Sequence, residues 1–296
     1  MIPKYLNNHV IKDIEKYLML SAPPGLILQG IPGLGKHLAA KYIAAKLLGC
    51  TEVELMENAD YYQTSKESPL KVEDIELLLD KSLMHSIGDR KVCVIFNAHT
   101  ISQSTQNRLL KLLEDKSNKN ILILLSERDT LLNTIKSRCY TILFTPLDSQ
   151  SMKQYLKTTM LDESYSNFIC YLTENAPYLI DTDITVLNDY ISVYNELSVI
   201  TRRSALLSLF HNLKEKDTLE FYSQHTNYPT WNIRLLLYPF YQFIIGEEIS
   251  GFPKNLYDTK QALQVMEHGL VHLHMLNSSY TKNDYFNLIR FIIQIK

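Results

Sequence analysis

The sequence predicts an α/β domain built on a parallel sheet, followed by a wholly helical second half. Three observations predict it. Short apolar runs alternate with longer stretches of helical spacing over residues 25–144. A glycine-rich stretch, "GIPGLGKH" (30–37), joins the first apolar run to the first helix. After Pro146 no run of β-branched residues recurs, and the reading is helical to Lys296.

The elements follow in order. "GLILQG" (25–30) is a short apolar run ending in glycine, a buried strand that feeds a loop. "KHLAAKYIAAKLLG" (36–49) is rich in alanine and leucine and closes on Gly49, a helix with a glycine stop. In "SPLKVEDIELLLDKSLMHS" (68–86), Ser68 reads as the cap and Pro69 as the first helical residue. "KVCVIF" (91–96), "NILILLS" (120–126) and "CYTILF" (139–144) read as further buried strands, and "SQSTQNRLLKLLED" (102–115) as a helix between them. Buried strands separated by helices imply a parallel sheet covered on both faces. The expected domains are an α/β core at 1–147, a small helical domain at 148–197 and an all-α domain at 198–296.

Composition narrows the function. The chain has 296 residues, 46% of them hydrophobic, which is a globular composition. A net charge of −2 argues against a strongly basic nucleic-acid binder. Cys50, Cys93, Cys139 and Cys170 are widely spaced, which suits neither a zinc module nor a disulfide framework. The apolar stretches are too short or too interrupted to span a bilayer. Lys4, Lys12, Asp13 and Glu15 leave no apolar signal core at the start, so the expectation is a cytoplasmic protein with no membrane association.

The chemistry centres on residues 30–37. Gly30, Gly35 and Lys36 fit the phosphate-loop pattern Gly-x-x-x-x-Gly-Lys-[Ser/Thr] in register, and Gly33 adds a third glycine. Backbone N–H groups of such a loop wrap phosphates, and the following helix N-terminus favours negative charge. The pattern then requires a hydroxyl to hold Mg²⁺, a hard ion that prefers oxygen, and the chain supplies His37. At the end of the next core strand an aspartate and a glutamate should serve the metal and the attacking water. In "VIFNAHT" (94–100), Phe96 and Asn97 stand there instead. Neither can take over the metal or the base role. Nucleotide binding stays open, and hydrolysis is not expected.

The succession GIPGLGKH, VIFNAHTISQSTQNRLLKLLED and LLNTIKSRCYTILFTPL resembles the AAA+ subunits of the bacterial DNA polymerase III clamp loader, and is most similar to the delta-prime kind. Ala98 and His99 keep part of the second block, and Gln106, Asn107, Leu109, Leu110, Lys111, Leu113 and Glu114 match its helix. Ser137-Arg138-Cys139 matches the family's Ser-Arg-Cys signature. The resemblance is good over residues 20–147 and weak beyond, though "WNIRLLLYPFYQFIIGEE" (231–248) and "NDYFNLIRFIIQI" (283–295) are similar to the family's collar helices.

The resemblance implies an AAA+ core, a lid and a collar, in an accessory subunit of the DNA polymerase III holoenzyme without ATPase activity of its own. It implies that Arg138 reaches the ATP of a neighbouring subunit. It implies partners: gamma/tau-like ATPase and delta-like subunits, the sliding clamp and, indirectly, primer-template DNA. No cofactor is required, with room for weak ATP or ADP binding. The four-cysteine zinc module of many relatives is reduced to Cys50, so no zinc is implied. "ENAPYLI" (174–180) lacks the nucleotide-sensing arginine of active subunits, and Ser126 falls near the γ-phosphate-sensing position.

Weaker candidates have plainer readings. His268, His272 and His274 have a spacing that can hold zinc, but no cysteine or well-placed carboxylate completes a set. Ser102 to Thr105 could touch a phosphate, yet ordinary helix capping explains them. The 19 tyrosines suit packing of domain and subunit interfaces better than base stacking. Two other classes stay open: an active AAA+ ATPase with unusual metal ligation, and a P-loop nucleotide kinase, which would need an arginine-rich lid that the chain lacks.

Overall fold

Five strands form one parallel sheet: β1 (Gly25–Gln29), β2 (Tyr61–Gln63), β3 (Lys91–Ile95), β4 (Asn120–Ser126) and β5 (Cys139–Leu143). Their order is β2-β3-β4-β1-β5. The computed structural model describes residues 3–65, 70, 72–84, 86–114, 119–159, 161–182, 184–198, 229–245 and 258–275. The chain divides into two units, Met1–Tyr155 with Ala176–Leu179, and Leu156–Asn175 with Ile180–Lys296.

The apolar runs became strands because both sheet faces are buried, except at β5, which reads as buried in the sequence but is an edge strand with Thr141 and Leu143 exposed. Successive strand residues point to opposite faces. Leu26, Leu28, Val92, Val94, Ile121 and Ile123 belong to the core on one side, under α1 (Asn8–Leu18) and α2 (Lys36–Leu48). Ile27, Cys93, Ile95, Leu122 and Leu124 belong to the core on the other. There α3 (Val72–Leu83), α4 (Gln103–Leu113) and the short α5 (Asn133–Lys136) cover the sheet. The doubly covered parallel sheet expected from the sequence is therefore observed.

Two elements go beyond the sequence reading. Tyr61-Tyr62-Gln63 is too short to carry a pattern, and becomes a strand by lying along β3, with Tyr61 beside Val92 and Gln63 beside Val94. The second is α1, which buries Val10, Ile14 and Tyr17 along one stripe. The Tyr17 hydroxyl donates to the Pro24 carbonyl at 2.6 Å, just before β1 begins.

Helix ends agree with the local signals. Gly49 closes α2 in the left-handed region, as a glycine stop should. The Ser102 hydroxyl accepts from the Thr105 N–H at 3.3 Å, so the capping reading of 102–105 holds. Ser68 and Pro69 lie outside the described residues.

After β5 every regular element among the described residues is a helix: α6 (Ser149–Leu156), α7 (Ser166–Thr173), α8 (Tyr178–Thr182), α9 (Ile184–Ser198), α10 (Pro229–Ile245) and α11 (Thr259–Met275). In the second unit α10 packs against α7, α9 and α11. Aromatic rings fill that core: Phe168 stacks on Tyr194 at 4.4 Å, and Trp231 meets Tyr190 edge-on at 5.4 Å. Arg234 donates to the Tyr171 carbonyl at 3.2 Å and pairs with Glu174. These tyrosines pack the unit's interior, whereas the expectation from sequence is packing at domain and subunit interfaces. No helix among the described residues is long and apolar enough to cross a membrane. The stretch 283–295 lies outside the described residues.

Ile123 is fully buried in β4, paired with Leu26 of β1 and Val94 of β3. Replacing it with alanine should cost about 2–5 kcal/mol of stability, as for other core truncations. Urea unfolding of wild type and Ile123→Ala measures this, and an unchanged midpoint would contradict the packing described.

Candidate functional site

The carboxyl edge of the sheet gathers the glycine-rich loop, Lys36 and the residues that follow β3 and β4. Ligand sites of open α/β sheets lie in this position. The Gly30 N–H donates to the Ser126 carbonyl at 3.1 Å, which ties the loop after β1 to the end of β4. Gly33 and Gly35 have φ of 74° and 82°, a region that a β-carbon disfavours. Their spacing is thus a backbone requirement of this turn.

The loop's groups are already engaged within the first unit. Lys36 is 8% exposed. Its Nζ donates to the carbonyls of Gly30 and Ile31, both at 2.6 Å. The Tyr178 N–H donates to the Gly33 carbonyl at 3.0 Å. A β-carbon at Gly33 would overlap Leu179, and one at Gly35 would overlap the Tyr178 ring. Residues 178 and 179 therefore lie directly on the loop. Nothing in the sequence of "APYL" announced this contact.

The end of β3 carries no metal chemistry. Phe96 is buried, and its N–H donates to the Thr64 hydroxyl at 3.0 Å. Asn97 takes a left-handed backbone, φ 49°, and its carbonyl accepts from the Thr100 N–H at 2.9 Å and hydroxyl at 2.8 Å. A phenyl ring has no ligand atom, an amide has no charge, and His37 offers nitrogen where Mg²⁺ prefers oxygen. These residues do not fit a metal-assisted hydrolytic site.

The acidic residue near Lys36 is Glu127, which the sequence reading passed over because it follows β4 rather than β3. His99 Nδ1 accepts from the Glu127 N–H at 3.3 Å, and His99 Nε2 stands 3.8 Å from the Glu127 carboxylate. Burial holds the His99 pKa below its usual value, partly opposed by the Glu127 charge. The Ser126 hydroxyl donates to the Arg128 carbonyl at 2.5 Å, so that partner lies within the chain.

Arg138 belongs to the opposite edge. Cys139 pairs with Gly25 at the start of β1, and Leu143 pairs with Gln29 at its end. Arg138 thus precedes the sheet's amino edge while the loop leaves the carboxyl edge, roughly 16 Å away at 3.3 Å per strand residue. Its Nη1 donates to the Thr134 carbonyl at 3.0 Å, and its Nη2 pairs with Glu114 at 2.8 Å. The fully engaged Gln106 amide anchors this corner: Nε2 donates to the Ile101 carbonyl at 3.1 Å, and Oε1 accepts from the Leu132 N–H at 2.8 Å. Leu132 is the residue from which α5 starts, so α4 fixes the short helix that leads to Arg138.

The remaining candidates stay apart. Cys50 is half-buried at the end of α2, and His268 is half-buried on α11. The side chains of His272 and His274 lie outside those described. Among the described residues no three His, Cys, Asp or Glu side chains converge.

Lys36 gives the site a pH signature. Burial lowers its pKa from 10.5 to about 8, with the Glu127 charge opposing. Between those values the unfolded chain binds more protons than the folded one, so stability rises with pH across that window. The gain is complete above pH 10.5 and is lost as pH falls through about 8. Relative to Lys36→Met, the wild type should therefore gain up to about 3 kcal/mol between pH 7 and pH 10.5. Urea midpoints of the two proteins at both pH values test this, and a constant difference would contradict it.

Comparison with known proteins agrees with this architecture. Residues 21–148 match the family model described as DNA polymerase III, delta subunit. The chain is 31% identical over 132 residues to a DNA polymerase III subunit delta' of Pseudomonas aeruginosa, covering 38% of this chain and 40% of that protein. It is 28% identical over 183 residues to a replication factor C small subunit of Methanococcus maripaludis, covering 58% and 57%. The matches thus span about half the length of these curated relatives. The solved structure of a DNA polymerase III, gamma subunit-related protein from Thermotoga maritima shares the fold, with a TM-score of 0.51 at 13% identity over 97% of this chain and 99% of that one. Over residues 21–148 the chain is thus similar to the delta-prime subunits of bacterial clamp loaders, on a shared α/β fold.

Proposed function

We propose that this chain is a non-hydrolysing clamp-loader subunit that helps load the sliding clamp onto primed DNA and supplies Arg138 to the ATP site of a neighbouring subunit. The observation that carries the reading is the separation of the two motifs. The arginine stands at the amino edge of the sheet, and the chain's own phosphate loop stands at the carboxyl edge. An arginine side chain cannot bridge a strand's length, so a phosphate partner for Arg138 has to come from another subunit. Its guanidinium is always charged and can meet two phosphate oxygens at once.

The chain's own loop supports the other half of the reading. His37, Phe96 and Asn97 remove the metal and base chemistry, and Lys36 is bonded to its own loop's carbonyls. ATP or ADP binds weakly at most, and no metal or other cofactor is needed. The partners are gamma/tau-like ATPase subunits, a delta-like subunit and the clamp, with primer-template DNA reached through the assembly. The helices after the core serve as lid, about 148–197, and collar, about 198–296, with the collar as the main assembly element.

Two measurements test the reading. The purified chain should show no Mg²⁺-dependent ATP hydrolysis above background, with or without DNA, and His37→Thr should not restore it. Turnover abolished by Lys36→Ala would identify the chain as an active ATPase instead. In the reconstituted assembly, Arg138→Ala should leave assembly intact and depress DNA- and clamp-stimulated ATPase. Arginine fingers contribute about 10³- to 10⁵-fold at a single site. An assembly with several ATP sites should lose less, since one interface is affected. Arg138→Lys should recover little, and unchanged ATPase in an intact Arg138→Ala assembly would refute the role.

A further inference from the structure

Glu114 stands where helix electrostatics disfavours it. It ends α4, where the backbone dipole presents negative charge and an acidic side chain is opposed. Its carboxylate meets Arg138 Nη2 at 2.8 Å, while Arg138 Nη1 donates to the Thr134 carbonyl at 3.0 Å. The guanidinium is thus gripped at both terminal nitrogens, by the end of α4 on one side and by α5 on the other. Both elements are locked together by the buried Gln106 amide. The two side chains of the pair are 38% and 54% exposed, and an ion pair that open to water adds little to folding stability. What the contact does achieve is geometric. A long side chain with many rotamers is held in one orientation, and two of its five N–H donors are used.

We infer that Glu114 is a positioning residue for Arg138: it fixes the guanidinium so that its remaining donors meet the neighbour's phosphate oxygens without a rotamer search. The inference rests on the proposed action of Arg138 in trans and adds to it the residue that makes that action efficient. A positioned group avoids the entropy loss of being ordered during the reaction, and a misplacement of about 1 Å can cost on the order of 10²-fold in rate. Carboxylate and phosphate compete for the same guanidinium, so Glu114 could equally restrain the arginine. The fork geometry favours positioning, because two donors are held and three stay available for a second acceptor.

The test uses the reconstituted assembly carrying Glu114→Ala, Glu114→Gln, Arg138→Ala or the Glu114→Ala/Arg138→Ala pair. Steady-state ATPase with DNA and clamp gives kcat and KM, and gel filtration and thermal melting report assembly and folding. Glu114→Ala should assemble and melt as the wild type does, with kcat reduced on the order of tenfold and KM unchanged. Glu114→Gln keeps an acceptor oxygen and should recover most of that loss. The double variant should be no worse than Arg138→Ala alone, since the two residues act as one unit. Normal kcat in Glu114→Ala beside an impaired Arg138→Ala would overturn the positioning role and leave the finger standing. Normal kcat in Arg138→Ala would overturn both. Additive losses in the double variant, or DNA-independent turnover that rises in Glu114→Ala, would also overturn positioning, the latter by identifying Glu114 as a restraint.

Discussion

The site geometry depends on β1 being held between β4 and β5. Ladder bonds on both sides fix its register, from Leu26 beside Ile123 to Gln29 beside Ser126, and from Gly25 beside Cys139 to Gln29 beside Leu143. The Gly30 N–H then continues the ladder to the Ser126 carbonyl, and the Phe144 N–H donates to the Gln29 carbonyl at 2.7 Å. These groups are shielded from water, so each lost bond would leave an unsatisfied polar group. The loop therefore leaves the sheet in one direction, and α2 must start where Lys36 points back over that loop. A phosphate-binding shape follows from this register whether or not a phosphate is bound.

The loop's own polar groups are satisfied within the chain. A buried ammonium without partners is costly. Lys36 finds the Gly30 and Ile31 carbonyls, and the Gly33 carbonyl finds the Tyr178 N–H. Phe96 sits in the core that Leu28, Val94 and Leu125 share, so its ring adds packing at the end of β3. Each of these positions is internally satisfied. The fold thus uses the glycines for their backbone and does not need metal ligands for stability.

At the amino edge the logic is reversed: Arg138 and Glu114 are held in place while exposed, above a buried amide. Gln106 joins two helix ends through both halves of its amide, and α5 is too short to hold its own position. Arg138 inherits its place from that junction. The second unit uses different means: a stack of aromatic rings around Phe168, Tyr194 and Tyr238, with Arg234 over the Tyr171 ring at 5.4 Å. These rings pack beside buried Ile169, Leu172, Leu187, Ile233 and Leu237.

The sequence by itself determined the layered core and the departures of residues 37, 96 and 97 from the nucleotide motif. β1, β3 and β4 were legible because burial on both faces demands unbroken apolar runs, and β5 by its β-branched and aromatic residues although it is a half-exposed edge strand. His37, Phe96 and Asn97 were legible because the motif has fixed spacing. Only the tertiary structure decided the rest. Tyr61-Tyr62-Gln63 is a strand because β3 offers it a ladder, which no local pattern encodes. Tyr178 and Leu179 meet the loop across more than 140 positions of chain, and Glu127 meets His99 across 28. Arg138 could be named from its motif, but its distance from the chain's own loop and its grip by Glu114 come from strand register and the junction of α4 with α5. Spacing along the chain reports local geometry; contacts between distant segments are fixed only when the sheet has closed its register.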